Sequence, residues 1–474
     1  MDNLKEIMRR RDLAFGRLTL GELCALAAES GLSAGEMAVR EAAEAEGLSE
    51  AEIGPVLWRA FEHNLLALQM GLEDEGQSFL FGQAAREISA PGVPPLAGPP
   101  LLDKAVRYTL ATQAGNHCVG LKPCAGTGDA CPYTGLARAL REEVTEPGLV
   151  IRALAVMLKI GVWFRVAKTT TGCNLEGFGA GAAATAAALS EIWGSGPEKT
   201  AQAVTLALSP TIGVPCTPRV MVPGLCATHI GGAIMIGWLA ASLSRYSNLP
   251  VNVPVDLMMA MAAAVHPVSG QQLVPVVIQY MEPFFKINQE VEARVSPEVR
   301  AADTARREAV TRRGLQEAKA IAAQADSILR PFGEVVVGGS SQAVGSPANT
   351  ARLAHALARG PVTKIIIELY PELFARRAIN VPAIIMSGAY GVDTQDALGY
   401  KTVMERTRAE GLEVEIKETP EYQVQKISLE TPNGLVYVKA LNRGGARLAL
   451  VDSSAGRDQA LAAAAKLGLV VVDA

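Results

Sequence analysis

Long segments that are apolar on every side fill the middle of this sequence and constrain its fold more than any other feature. Ala, Gly, Leu and Met dominate residues 101–288, as in 180–193 and 230–243, and each segment ends at Gly, Ser or Pro. A helix without a polar face must be buried among other helices. The sequence therefore predicts an all-α core of closely packed helices over residues 91–292.

The pattern differs on the two sides of this core. Residues 1–90 show helical apolar spacing, and Ser33 and Ser49, each shortly before an acidic residue, predict helix N-caps in a small helical region. A stretch rich in Pro and Gly, residues 90–100, predicts a loop. Residues 293–330 are charged and rich in Ala, which is typical of a solvated linking helix.

The last part of the chain, residues 331–474, changes to short β-branched runs. They predict strands at 334–337, 363–369, 413–417, 424–429, 435–440 and 469–472, with a helix at 349–359 between the first two. The expected fold class is a multidomain protein with a mainly α-helical domain and a C-terminal α/β (α+β) domain.

Composition excludes several classes of function. The chain has 474 residues, of which 49% are hydrophobic and 19% charged, and its net charge of −4 offers no basic face for a nucleic acid. Charged residues are spread through the first thirty positions, and the uncharged run 230–243 is shorter than the roughly 20 residues of a bilayer span. We expect a cytoplasmic protein without nucleic-acid or membrane partners. Seven Cys in a reducing compartment indicate metal ligation or buried thiols.

Three cysteines lie where a loop meets a buried helix. Cys173 follows Gly172 directly before a helix of small residues, Cys216 lies between two prolines, and Cys226 opens the apolar helix that runs past Ile230. A helix N-terminus lowers the pKa of a thiol, and its N–H groups can bond to cluster sulfurs. The alternative is that these small apolar side chains only fill tight helix packing.

These motifs together resemble the α part of the bacterial iron-sulfur L-serine dehydratases. That family has a Gly-Cys-Gln-Gly/Ala-Glu motif, a Cys-Asp-Pro motif and a third Cys about ten residues later, and Cys173, Cys216 and Cys226 match them. Residues 122–128 are similar to the family's Pro-Thr-x-Gly loop, which implies that Gly126 and Thr127 face the substrate. The last domain resembles the family's β part, so the resemblance spans nearly the whole chain, with α before β.

The resemblance implies a [4Fe-4S] cluster on the three cysteines and a lyase that eliminates water from a small hydroxy or amino acid at the open iron. Since this chain ends Val472-Asp473-Ala474, no tail cysteine covers that iron, unlike in the familiar fused enzymes. For L-serine the products would be pyruvate and ammonia. The alternatives are L-cysteine desulfidation and dehydration of another hydroxy acid. The family also implies a homodimer.

The β part departs from the family pattern at its substrate loops. Ser340, Ser341 and Gln342 replace a Ser-Ser-His-Thr loop, Tyr390 and Asp393 stand in the place of a Gly-His-Gly-Thr-Asp loop, and residues 422–424 replace His-Pro-Asn. Histidine is the side chain best suited to proton transfer near neutral pH. Either the substrate differs from serine, or the β part no longer takes part in the chemistry.

Further candidates near the cysteines are Lys168, His229 and Glu176. Lys168 or His229 could act as a base or orient a carboxylate, although a histidine near a buried helix can also be a core residue. Glu176 matches a family residue near the cluster, or is simply a favourable charge at a helix N-terminus.

A second group of cysteines, Cys118, Cys124 and Cys131, has no common zinc or ferredoxin spacing and could line the pocket or only pack. A second metal site on Cys118, Cys124 and Cys131 also stays open. Two other hypotheses stay open: a non-catalytic cluster-binding sensor or assembly protein, and a mononuclear zinc site on the same three thiols as the proposed cluster.

Overall fold

The computed structural model describes residues 2–73, 78, 81–119, 130–167, 176–214, 222–323, 345–392, 396–441 and 456–473. The chain divides into two compact units, Met1–Lys319 and Ala320–Ala474. The first is helical, and the second combines helices with a small mixed sheet. This confirms the expected pairing of a helical domain with a C-terminal α/β domain.

The described part of the N-terminal unit is built from helices. They are α1 (Asp2–Arg10), α2 (Leu20–Glu29), α3 (Ala34–Glu46), α4 (Glu50–Leu72), α5 (Ala84–Ser89), α6 (Pro100–Val119), α7 (Cys131–Glu143), α8 (Pro147–Ala167), a π-helix (Glu176–Ala180), α9 (Gly181–Ile192), α10 (Pro197–Leu208), α11 (Leu225–Tyr246), α12 (Val255–Met281), a 3-10 helix (Glu282–Phe284), α13 (Gln289–Glu292) and α14 (Pro297–Ala322).

The predicted N-caps Ser33 and Ser49 are confirmed. Ser33 Oγ accepts the amide of Glu36 at 3.1 Å, while the Glu36 carboxylate accepts the amide of Ser33 at 2.7 Å. At the start of α4 the Glu52 carboxylate accepts both the amide of Ser49 at 2.8 Å and its hydroxyl at 2.7 Å. Each pair satisfies backbone donors that a helix start would leave without partners.

One hydrophobic core unites most of the N-terminal unit. Helix α9 is its centre, because residues 181–191 are all buried, as the all-round apolar pattern predicts. The structure confirms the predicted loop at 90–100. Core residues come from both sides of this loop, for example Leu23 and Met37 before it and Met157 after it. Residues 1–90 and the helices after the loop therefore share one core.

Two carboxylates, the buried Glu191 and the partly buried Asp256, connect the helices of this core. Glu191 on α9 accepts Ser33 Oγ at 2.6 Å and the Gly35 amide at 2.9 Å, both at the start of α3. Asp256 on α12 likewise accepts Thr19 Oγ1 at 2.7 Å and the Gly21 amide at 2.8 Å at the start of α2. The positive end of each helix stabilises the negative charge, so ionised groups fit inside an apolar unit.

The predicted linking helix is confirmed by α14, in which none of the described residues is buried. The second half of α12 has the same property, since its last buried residue is Ser269. Contacts at the end of α12 join it to α14, where the Tyr280 hydroxyl donates to Glu317 at 2.7 Å.

The C-terminal unit contains α15 (Gly345–Leu357), β1 (Lys364–Leu369), α16 (Pro371–Ala375), α17 (Arg377–Gly388), α18 (Ala397–Glu410), β2 (Glu413–Glu418), β3 (Val424–Thr431), β4 (Gly434–Leu441), α19 (Arg457–Leu467) and β5 (Val470–Asp473). The described strands have the order β2-β1-β3-β4-β5. Only β1 and β2 are parallel, with Lys364 opposite Glu413. The antiparallel pairs place Ile367 opposite Ile427 and Val438 opposite Val471.

The predicted strands after residue 360 and the predicted helix at 349–359 are confirmed within one to four residues, while 334–337 lies outside the described residues. Sequence reasoning did not predict α17 and α18. Pro382 inside α17 obscures its helical signal, because proline usually ends or bends a helix.

Candidate functional site

Cys226 lies in the first turn of α11 and is buried. Gly224, with a φ of 82°, forms the turn that leads into the helix, a conformation that favours glycine. Around the thiol pack Phe81, Cys131 and Ile230. The side chain therefore sits at the positive, N-terminal end of α11, which favours a thiolate.

A second cysteine, Cys131, belongs to the same buried cluster as Cys226. It is the first residue of α7, and its thiol donates to Gln113 Oε1 on α6 at 2.7 Å. Cys131, which belongs to the second group of cysteines, therefore packs beside Cys226, one of the predicted ligands of the iron-sulfur cluster. Sequence spacing could not show this, because 95 positions separate the two residues.

His229 lies one turn after Cys226 and is 8% exposed. Its ring centroid is 4.6 Å from that of Phe178 in the π-helix, at an interplanar angle of 39°. The buried Nε2 atom has no hydrogen-bond partner among the described residues. Such a nitrogen is a candidate for binding a ligand or transferring a proton, because an unsatisfied buried polar atom costs about 1–3 kcal/mol.

Three helical elements begin at or near the ends of the motif-bearing segments. The segment 120–129 precedes α7, 168–175 precedes the π-helix, and 215–221 precedes α11. These elements pack on one another: a Cβ atom on Gly181 would come within 2.9 Å of Pro132 and 3.3 Å of Ala233. A π-helical turn is rare and often marks a functional site. The starts of α7 and α11 lie beside each other at the buried pair Cys131 and Cys226, and helix N-termini favour anionic ligands.

Most of the predicted site lies outside the described residues. This holds for Lys168, Cys173 and Cys216, and likewise for Gly126, Thr127 and Cys124. Glu176 starts the π-helix and Cys118 lies near the end of α6, but neither side chain is described. Among the described residues, no three His, Cys, Asp or Glu side chains group to hold a metal ion. The three-thiolate set therefore stays a prediction, of which the described structure contains one member.

In the C-terminal unit, Ser340, Ser341, Gln342 and Asp393 also lie outside the described residues. Tyr390 is described. Its hydroxyl lies 3.5 Å from Thr407 Oγ1, the Arg406 guanidinium covers its ring at 3.9 Å, and burial raises its pKa. These contacts anchor the tyrosine to α18, and its role toward a substrate stays a prediction.

Sequence reasoning missed His355 on α15. Its Nδ1 atom lies 2.8 Å from the Gly388 carbonyl, and Arg352 donates to the carbonyl of Gly391. A Cβ atom on Gly391, whose φ is +60°, would lie 2.3 Å from His355 Nε2. A histidine from another element thus contacts the backbone that follows Tyr390, at Gly391. In the sequence, the only hint of this contact is that His355 lies on a predicted helix shortly after residues 340–342.

No family model and no curated protein matches this chain. Within the described ranges of the chain, three helical stretches are long and apolar enough to cross a membrane by length and composition: Pro147–Phe164, Leu225–Tyr246 and Val255–Phe284. Half of each of the first two is buried inside the protein, but only 11% of the third. The expectation of a cytoplasmic protein without a membrane partner stays a prediction.

Proposed function

We propose that the protein is an iron-sulfur-dependent lyase that eliminates water from a small hydroxy or amino acid, with L-serine as the first substrate to test. The observation that carries this proposal is the surroundings of Cys226. Cys131 packs in the same buried cluster as Cys226 and donates to Gln113. One turn after Cys226, the buried Nε2 atom of His229 has no hydrogen-bond partner within the part of the chain that the structure describes.

The residues that would hold a [4Fe-4S] cluster are Cys173, Cys216 and Cys226. The described part is compatible with this group, since Cys226 is buried at a helix N-terminus, the environment that favours thiolate ligands and N–H···S hydrogen bonds. When bound, a cluster with one iron outside thiolate ligation supplies a Lewis acid for a hydroxyl leaving group.

His229 is our candidate for the proton transfer. An imidazole nitrogen can accept a proton and give it back, and Nε2 lies buried beside Phe178. Contact with the Phe178 ring restricts the orientation of the imidazole. The starts of α7 and α11 suit the carboxylate of the substrate, because backbone N–H groups and the helix dipole both favour an anion there.

For L-serine the overall reaction balances as loss of the α-proton and of the β-hydroxyl as water. The resulting enamine tautomerises to an imine, which water hydrolyses to pyruvate and ammonia. L-cysteine would release hydrogen sulfide in place of water. Because Gln342 and Tyr390 stand where the family has histidines, other hydroxy acids belong in the same substrate panel.

The test compares Cys226→Ala with Cys24→Ala after anaerobic purification. Both cysteines are buried, but Cys24 lies on α2 and is not among the buried side chains that pack around Cys226. We expect iron and sulfide in the wild type and in Cys24→Ala, together with release of pyruvate from serine or sulfide from cysteine, and loss of both in Cys226→Ala. A colourless zinc protein, or an intact cluster without turnover on the whole panel, would contradict the proposed lyase.

A second comparison tests the imidazole separately from the cluster. His229→Gln keeps a polar side chain of similar size, so we expect unchanged iron content with a kcat lower by about 10²- to 10⁴-fold. Loss of iron together with activity would instead assign His229 to the support of the cluster.

A further inference from the structure

The N-terminal unit holds a cleft of about 540 Å³ that shares no residue with the surroundings of Cys226. Its walls come from the turn that leads into α2, from α8 and from α12. Sites for small organic molecules usually have volumes of about 300–1,000 Å³. The cleft is therefore large enough to take one such molecule.

Apolar side chains form most of the wall of this cleft. They are Leu18, Leu20, Val162, Trp163 and Met259. The Trp163 ring lies edge-on to Phe164, with ring centroids 5.1 Å apart, so the indole is held against the core. Val162 is 46% exposed, which leaves this wall open to solvent. A ligand that covers these side chains needs an apolar body of its own.

Among the described residues, every polar side chain that lines the cleft is a hydrogen-bond donor. These side chains are Arg17, Lys159 and the indole of Trp163, and none of the three has an acceptor atom when the two cations are charged. An ammonium group on a ligand would find no side-chain acceptor in this lining. The polar end of a ligand that fits must therefore be an acceptor.

The buried Glu41 on α3 holds the polar side of the cleft in place. Its carboxylate accepts the amides of Gly16 at 3.1 Å and Leu18 at 3.2 Å, and it pairs with Lys159 Nζ at 2.8 Å. These bonds fix the turn before α2 and neutralise the charge of Lys159. An ammonium has three N–H donors, of which the two oxygens of Glu41 take no more than two. At least one donor of Lys159 is left for a ligand.

Arg17 supplies a positive charge that the cleft does not neutralise. Its side chain is exposed and forms no ion pair or side-chain hydrogen bond within the ranges that the structure describes. A guanidinium presents a planar fork of donors that matches a carboxylate. With Lys159 paired to Glu41, the charge of Arg17 matches a ligand that carries one negative charge.

We propose that this cleft binds a small monocarboxylic acid that has an apolar body and no amino group. The carboxylate receives hydrogen bonds from Arg17 and Lys159, and the apolar body packs on Val162 and Trp163. An amino acid is selected against, because its ammonium would lose water without gaining an acceptor side chain. This site is separate from the proposed lyase site in its residues and in its ligand, so it does not rest on the proposed function.

Isothermal titration calorimetry of the full chain tests the proposal, with 3-phenylpropionate, 4-methylpentanoate and octanoate as probes. None of these acids has a hydroxyl or thiol to eliminate, so the heat reports binding and not turnover. We expect at least one probe to bind once per chain with a Kd below about 1 mM. The corresponding neutral amide and L-phenylalanine should bind at least about 10-fold more weakly, because one lacks the charge and the other adds an ammonium.

Two variants change the charge of the cleft without touching its buried residues. Arg17→Gln removes the positive charge, and Val162→Glu adds a carboxylate to the exposed wall. We expect each of them to raise the Kd of the bound probe about 10-fold. Arg59→Gln is the matched control, because Arg59 is an exposed arginine on α4 outside the lining, and it should leave the Kd unchanged. Circular dichroism establishes that each variant is folded.

Three results would overturn this proposal. Absence of binding by all three probes up to about 5 mM would exclude a site of useful affinity. A Kd that neither Arg17→Gln nor Val162→Glu changes, or that only Cys226→Ala raises, would place the bound carboxylate elsewhere. Equally tight binding of the amide or of L-phenylalanine would contradict the selection of a monocarboxylate.

Discussion

The substitution Gly115→Ala tests how closely α4 and α6 approach each other. A Cβ atom on Gly115 would lie 1.7 Å from the Ala67 carbonyl oxygen, and one on Gly71 would lie 1.9 Å from that of Ala111. Each helix thus contributes an Ala and a Gly four positions apart, and the two pairs face each other backbone to backbone. A carbonyl oxygen in a helix cannot rotate away as a side chain can, so the helices must separate.

The expected magnitude follows from two opposing effects. Replacing a helical Gly by Ala stabilises a helix by about 1 kcal/mol, whereas overpacking costs about 1–3 kcal/mol, and more where backbone must move. We expect Gly115→Ala to lower the free energy of unfolding by about 2 kcal/mol.

Urea denaturation followed by tryptophan fluorescence is the assay. The four tryptophans of the chain, Trp58, Trp163, Trp193 and Trp238, all lie in the N-terminal unit and report on it alone. The control is Gly231→Ala on α11, whose Cβ atom would lie 3.6 Å from a side-chain carbon of Val106 on the same α6. It should be neutral or stabilising. If Gly115→Ala proved as stable as Gly231→Ala, the close approach of α4 and α6 would be wrong.

Three further predictions concern a carboxylate, a thiol and a histidine. Glu191→Ala removes the acceptor of Ser33 and Gly35 and should cost about 2–3 kcal/mol in the urea assay, and a loss below about 0.5 kcal/mol would refute the role of this carboxylate. Burial, with smaller contributions from nearby carboxylates, raises the pKa of Cys24 to about 12, so about 10⁻⁴ of the thiol is ionised at pH 8. Iodoacetamide should label it only after unfolding, and equal labelling of the native protein would contradict its burial. Burial also lowers the pKa of His355 below its ordinary 6.5, so the folded state favours the neutral ring. The C-terminal unit should lose stability as pH falls below 6.5, and His355→Gln should flatten this dependence in thermal melts.

The local elements were predictable from the sequence because their signals are local. The all-round apolar run at 180–193 indicated the buried helix α9, and Ser33 and Ser49 indicated helix starts, since a capping box needs only four consecutive residues. The β-branched runs predicted β1 to β5 for the same reason. The π-helix was not predictable, because an extra residue in one turn leaves no periodic signal.

For the candidate site, the sequence indicated which cysteines lie just before apolar helical segments, because the neighbouring residues alone decide this. Only the tertiary structure placed Cys131 beside Cys226, set Phe178 against His229 and brought His355 to Gly391. It also revealed that α12 extends past its own core. The physical reason is that each of these facts depends on how separate helices pack. Packing is decided by shape and burial between residues far apart in the chain, which periodicity and spacing do not encode.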